Sequence, residues 1–366
     1  MQLCDDHPMV LEVIKLKKEL PHFVLCTESQ LEDLKYFMAN QGNHPLGIDR
    51  TFNLGSFFVT ALVYKNLRVV RKDSPKENPL FLGPIFLHKK ATFEAYHAFF
   101  SAIKARVCQK NSVRAIEVRV SKKLLFGSDE EQALTKSIEN VFPSSTRLLC
   151  TNHMKENARS YMRDKAGVPQ KKRGKIIESL FGDNKKGNDV NQSVLFDKVV
   201  KGVRKLSKDY PIFLEYFEKH VKPAFQSYVF TPSHEKGIEK WTNNNCESLN
   251  HILKLDAKWR TSKTPELIEL IHQVTVLHFR DFRRALYGEG NYRLVKALRN
   301  RYGVQRSQWR ALQEADKEER FKEFLQGKRG NVVRSTISNF VVPKPRVAKK
   351  PGQRTQVKRN RTAGKR

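Results

Sequence analysis

Pro45-Leu46-Gly47-Ile48-Asp49-Arg50-Thr51-Phe52-Asn53-Leu54 carries an apolar approach into a carboxylate. An unpaired carboxylate is expensive to bury, so Asp49 must be exposed, paired or bound to a cation. Residues 46–70 read as a β-hairpin. Phe57, Val59, Ala61 and Val63 alternate with Phe58, Thr60, Leu62 and Tyr64, and both sets are largely apolar. That pattern suits a strand covered on both faces. Asp49 then stands either at an ordinary strand-edge turn or at the working edge of a buried sheet.

Outward from this hairpin the chain alternates strands and helices. Residues 1–42 read as helical, with Leu11, Ile14, Leu16 and Leu20 followed by Leu31, Leu34 and Phe37 at helical spacing. Residues 79–88 read as a strand and 91–105 as a helix with Phe93, Tyr96, Phe99, Phe100 and Ile103 on one side. Residues 113–120 alternate as a fourth strand, 130–142 form a helix, 147–150 a short fifth strand, and a helix follows His153. Residues 165–240 read as a mostly helical insertion with mobile, Gly- and Lys-rich loops. A helix over 244–254 closes the core. Thr264-Pro265-Glu266 starts another, expected to run to Tyr287, and after a turn at 288–291 charged helix extends to about 326. The division is 1–42 helical segment, 43–164 core, 165–240 insertion, 241–262 last core helix, 263–330 C-terminal helices and 331–366 basic tail.

Two further acids stand in marked contexts. Asp129 lies in Phe126-Gly127-Ser128-Asp129-Glu130-Glu131-Gln132-Ala133-Leu134, between a strand and a helix. Aspartate is a favoured helix cap, and Ser128 could serve instead. Glu247 lies in Trp241-Thr242-Asn243-Asn244-Asn245-Cys246-Glu247-Ser248-Leu249-Asn250. There Leu249, Ile252 and Leu253 make the apolar face, while Glu247, Asn243, Asn250, His251 and Lys254 lie opposite, as a solvated face or as one wall of a cleft. Between these acids, Cys150 and His153 are three apart. Zinc would need further ligands, and the bland alternative is a buried thiol with a histidine on backbone or phosphate.

The ordered set resembles the catalytic domain of Mutator-like (MULE) transposases over roughly residues 45–255. Asp49-Arg50-Thr51-Phe52-Asn53-Leu54, Ser128 to Leu134, Cys150 to His153, and Asn243 to Asn250 match its motifs in order. Glu130 stands where that family usually has glycine. The resemblance implies an RNase H-like α/β fold: a mixed five-stranded sheet flanked by helices, with a helical insertion before the last catalytic helix and a helical C-terminal extension. It implies a DDE transposase in which Asp49, Asp129 and Glu247 hold two Mg2+ or Mn2+ ions for DNA strand cleavage and joining, with Cys150, His153 and Asn250 nearby. Oxygen ligands suit such ions, and two held about 4 Å apart can serve both the attacking and the leaving oxygen. Two alternatives are a catalytically inactive, transposon-derived regulatory protein, which Glu130 favours, and an RNase H-like nuclease, which the long insertion disfavours.

Composition points the same way. The chain has 366 residues, with 69 Lys and Arg against 38 Asp and Glu, for a net charge of +31. A polyanion partner is expected, nucleic acid rather than a membrane; the resemblance implies DNA, both transposon ends and target, and allows homo-oligomers. Lys171, Lys172, Arg173, Lys254, Arg280, Arg283 and Arg284 are the candidate phosphate contacts. Residues 343–366 hold ten Lys or Arg and no acid, which predicts a disordered tail and nuclear import. The five cysteines are dispersed, without a Cys-x-x-Cys pair. That supports neither a disulfide framework nor a zinc module.

Overall fold

The computed structural model describes residues 7–16, 20–51, 54–108, 124–182, 196–238, 241–258 and 260–328. Its core is a seven-stranded mixed sheet in the order β1-β2-β6-β4-β3-β7-β8. The strands are β1 (Val10–Ile14), β2 (His22–Leu25), β3 (Leu46–Thr51), β4 (Phe58–Lys65), β6 (Leu80–His88), β7 (Leu125–Ser128) and β8 (Thr146–Leu149). Neighbours pair antiparallel from β1 to β3, whereas β3–β7 and β7–β8 are parallel. The short β5 (Val69–Arg71) pairs instead with β9 (Tyr292–Leu294) in a separate ribbon.

Strand periodicity sorts the core into two faces. On one, Leu46, Ile48, Leu62, Tyr64 and Phe126 meet helices α1 (Glu28–Asn40), α2 (Phe93–Cys108) and α3 (Gln132–Val141) through Leu34, Phe37, Phe99, Ile103, Leu134 and Ile138. Helix α1 is held at its start by a capping box in which Thr27 accepts from Gln30 N and the Gln30 side chain accepts from Thr27 N, satisfying two donors that helix ends leave open.

Beyond β8 come α4 (Thr151–Asp164), α5 (Gln170–Phe181), α6 (Phe196–Ser207), α7 (Pro211–Tyr216), α8 (Lys222–Phe225) and α9 (Thr231–Lys236). Single π-helical turns at Phe217–Val221 and Gln226–Phe230 separate the last three. Pro223 and Pro232 stand just beyond them, where the missing proline N–H is accommodated by a widened turn. This unit has its own core, including Met154, Met162, Ile176, Phe181, Val200, Phe217 and Phe225. On the second face of the sheet, Val59, Ala61, Val63, Ile85 and Leu87 are covered by α10 (Asn244–Asp256) and the first half of α11 (Thr264–Arg284) through Cys246, Leu249, Leu253, Leu267, Ile268 and Ile271. Three short helices end the described chain: α12 (Lys296–Tyr302), α13 (Arg306–Ala311) and α14 (Glu314–Leu325).

Several sequence expectations need correction. Val10–Ile14 and His22–Leu25 are strands rather than helix. The β-branched Val10, Val13, Ile14 and Val24 favour extended backbone; these two strands and β7, also not among those expected, bring the described sheet to seven. The polar run at 170–181 is helix α5, because Ile176, Ile177, Leu180 and Phe181 bury one side of it. Strand β9 interrupts the expected C-terminal helix. The strand expected at 113–120 and the basic tail at 331–366 lie outside the described residues. No helix among the described residues is long and apolar enough to cross a membrane.

Candidate functional site

Asp49 sits on β3, between its antiparallel neighbour β4 and its parallel neighbour β7, and points to the sheet face that α10 covers. Asp129 lies one residue past the end of β7. It caps nothing: α3 begins at Gln132 with Glu131 in the cap position and no side-chain cap bond. Glu247 is in the first turn of α10.

Two glycines bring the helix to the strands. Gly47 and Gly127 are register partners across β3–β7. A Cβ on Gly47 would lie 2.6 Å from Cys246 Sγ, and one on Gly127 only 2.2 Å from the Trp241 ring. Each glycine stands two residues before an aspartate, so glycine and carboxylate share a face. The bare backbone lets Trp241 and Cys246 settle on the sheet, and the start of α10 follows them. The buried side of α10 is therefore Cys246, Leu249, Asn250 and Leu253, whereas Ile252 is exposed. This corrects the helical-wheel expectation that placed Ile252 inward and Asn250 outward.

Hydrogen bonds from two asparagines and close contacts from one histidine surround the carboxylates. Asn250 Nδ2 donates to Asp49 Oδ2 at 2.5 Å. Asn243 Nδ2 lies 3.4 Å from Asp129 Oδ1, and its backbone N–H donates to Cys150 Sγ at 3.3 Å. Helix α4 starts at Thr151, so His153 falls in its first turn and reaches both remaining acids. Nδ1 is 2.6 Å from Asp129 Oδ1 and Nε2 is 3.7 Å from Glu247 Oε1. Thr151 fixes the approach from the other side, since its N–H and Oγ1 both donate to Trp241 O. Asn250 thus holds Asp49, Asn243 contacts Asp129, and His153 stands between Asp129 and Glu247.

The cluster carries electrostatic strain. Burial, then repulsion from Asp129, raises the Asp49 pKa from 3.8 to about 6, with a smaller push from Glu247. Burial also raises that of Asp129, opposed by His153. A bound cation would relieve both effects. The donor set fits one. Asp129, Cys150 and His153 offer ligand atoms within 4.8 Å of one another, and the buried Oδ1 atoms of Asn243 and Asn250 have no hydrogen-bond partner among the described residues.

The neighbouring acids face elsewhere. Glu130 is exposed, and desolvation raises its pKa, opposed by Arg147 and His220. Glu131 lies 3.4 Å from Arg50. A second grouping, His7, Glu269 and His272, is closed by its own bonds. Met9 N donates to His7 Nδ1, leaving the Nε2 proton for Glu269.

The basic candidates are dispersed. Lys171 is exposed and Lys172 half-buried on α5, and Arg173 donates to Val168 O. Lys254 is on the last turn of α10. On the second half of α11, Arg280 is exposed, Arg283 pairs with Glu314 and Glu318, and Arg284 is 3.7 Å from Asp281. Sequence reasoning missed Asn243, Trp241 and the two glycines as site-builders. The repeated Gly-x-Asp, in Gly47-Ile48-Asp49 and Gly127-Ser128-Asp129, was the available signal. No protein-family model matches this sequence, and no curated protein matches it significantly.

Proposed function

We propose that the chain is a DNA-acting phosphoryl-transfer enzyme of the Mutator-like DDE transposase kind, built on an RNase H-like core. The observation that carries this reading is that Asp49 and Asp129 stand on and just past adjacent strands, with Asp49 raised in pKa by Asp129 and, less, by Glu247. The order of the four sequence motifs and the net charge of +31 support it. Asp49, Asp129 and Glu247 would hold Mg2+ or Mn2+, which supply activation of the attacking oxygen and charge stabilisation of the leaving one. Asn250 orients Asp49 by its hydrogen bond, and Asn243 and His153 fix Asp129. Trp241 and Cys246 exclude water from beneath the cluster. The DNA partner and a nuclear setting follow from the basic character of the chain.

His153 gives a second reading some support. It already bridges Asp129 and Glu247, which suits a DNA-binding regulatory protein that keeps the fold without catalysis. Titration calorimetry with Mn2+, joined to nicking of supercoiled plasmid, tests both. The enzyme reading expects Mn2+ binding and nicking, both abolished by Asp49→Asn. Unchanged Mn2+ binding in Asp49→Asn would overturn the metal site. Binding without nicking would favour the regulatory reading.

A further inference from the structure

We propose that α6 is a docking face for the phosphate backbone of duplex DNA, with Lys198, Lys201, Lys205 and Lys208 as its contacts. The proposal rests on the reading that DNA is the substrate. All four lysines are exposed, the last in the turn that follows the helix. At about 100° per residue they fall within an arc of about 80°. The buried Val199, Val200 and Val203 lie on the opposite side of the helix, against the core of the insertion.

A lysine-rich helix face is often only a solvated surface, but the local pattern of ion pairs argues otherwise here. The glutamates of the neighbouring helices are taken up elsewhere, and among the described residues Asp197 and Asp209, the exposed acids nearest the stripe, form no ion pair with it. Arg204 pairs with Glu218 at 2.7 Å, Lys219 with Glu215 at 2.6 Å and Lys222 with Glu218 at 2.9 Å. Among the described residues, none of the four stripe lysines is engaged in an ion pair or hydrogen bond. Four lysines against Asp197 and Asp209 leave a net positive face, which a polyanion would neutralise.

Its reach suits a duplex. Lys198 to Lys208 spans about 15 Å along a helix, or about four steps of 3.4 Å along one strand. Lysine offers a mobile point charge rather than the bidentate fork of arginine, so the face would hold backbone and leave sequence unread. The mounting is rigid. Gly202 of α6 sits against Ser179 of α5, where an added Cβ would meet Ser179 Oγ at 2.6 Å. Helix α5 packs in the same core as α4, whose first turn carries His153. The lysine face is therefore fixed relative to the carboxylate cluster.

The test is a salt titration of the full chain on one duplex in EDTA, which keeps metal and cleavage out of the measurement. The variant Lys198→Gln/Lys201→Gln/Lys205→Gln keeps helix propensity. A control, Lys76→Gln/Lys136→Gln/Lys296→Gln, removes three exposed lysines from other elements. Thermal unfolding of both should match the parent. The log–log slope should fall by about 0.9 for each stripe lysine removed, roughly 2.7 in all, and hold in the control. A parental slope in the stripe variant, or an equal fall in the control, overturns the proposal. Either result leaves the Mn2+ test on Asp49→Asn standing, so failure of the docking face and failure of the metal site are told apart.

Discussion

Gly47 and Gly127 stand directly opposite one another across the parallel pair β3–β7, and each precedes by two residues an aspartate of the candidate site. Cys246 and Trp241 occupy the space that their side chains would fill. The carboxylate cluster therefore depends on the absence of two Cβ atoms. Gly127→Ala would drive a methyl into the Trp241 ring, which is buried between β7 and the start of α10. Overpacking of this kind costs about 1–3 kcal/mol. Denaturant unfolding should show that loss, and Mn2+ affinity should fall because Asn243 and Glu247 shift with Trp241. Full stability together with full Mn2+ affinity would mean that the close approach does not position the site.

The raised pKa of Asp49 gives a pH test. In the folded chain it lies at about 6 rather than 3.8, so between these values the native state holds the proton that the unfolded chain has lost. That contribution to stability is present below about 4 and disappears as pH rises through 6. In chelator, Asp49→Asn should therefore exceed the parent above pH 6 by on the order of 1–2 kcal/mol and lose the advantage near pH 4. Urea unfolding at several pH values measures it. Parallel stability curves for the two proteins would refute the strained carboxylate. Asp33 also titrates at about 6, so the difference between parent and variant is the quantity to read.

The sequence made the central hairpin legible because apolar alternation over β3 and β4 is strong and local. Helices α2, α3, α10 and α11 were legible for the same reason, having apolar residues at helical spacing. Strands β1 and β2 were not, because Leu11, Ile14 and Leu16 also fit a helix and only pairing with β6 decides between them. That Asp49 is electrostatically coupled to Asp129 and Glu247 could be anticipated from ordered motifs. The rotation of α10 could not, since it follows from contacts between Gly47 and Cys246 and between Gly127 and Trp241, residues far apart in the chain. The wheel put Asn250 on a polar face, solvated or walling a cleft, and it lies buried against Asp49.

A buried ion pair gives a prediction away from the site. Arg68 Nε lies 3.0 Å from Asp33 Oδ1, with both side chains almost fully buried. Its terminal nitrogens donate to Phe324 O and Leu325 O at 2.6 Å each, and the guanidinium stacks 3.7 Å from the Tyr36 ring centroid. One side chain thus fastens the end of α14 to α1. Arg68→Ala would leave the Asp33 charge with only the neutral donors Tyr64 and Asn66 and open two helix-end carbonyls, at a cost of about 3–5 kcal/mol. Hydrogen exchange should quicken first in α14. Unaltered exchange there would show that α14 is held by its apolar contacts alone.

Metal choice gives the last prediction. Asp129, Cys150 and His153 form a mixed oxygen, sulfur and nitrogen set, which suits a softer ion than Mg2+. Asp49, Asp129 and Glu247 offer oxygen alone, which suits Mg2+ or Mn2+. The two sets share Asp129, so ions bound at them should compete. Burial raises the pKa of the Cys150 thiol, and a thiol must lose its proton to ligate, so the softer set should gain affinity as pH rises. Cys150→Ser should weaken Zn2+ binding at least tenfold and leave Mn2+ binding within about twofold, whereas Asp129→Asn should weaken both. Competition calorimetry at pH 7 and 8.5 reads both ions on the same protein. Equal loss of Mn2+ and Zn2+ in Cys150→Ser would mean that the thiol belongs to the carboxylate site itself, and the hard-ion assignment would fall.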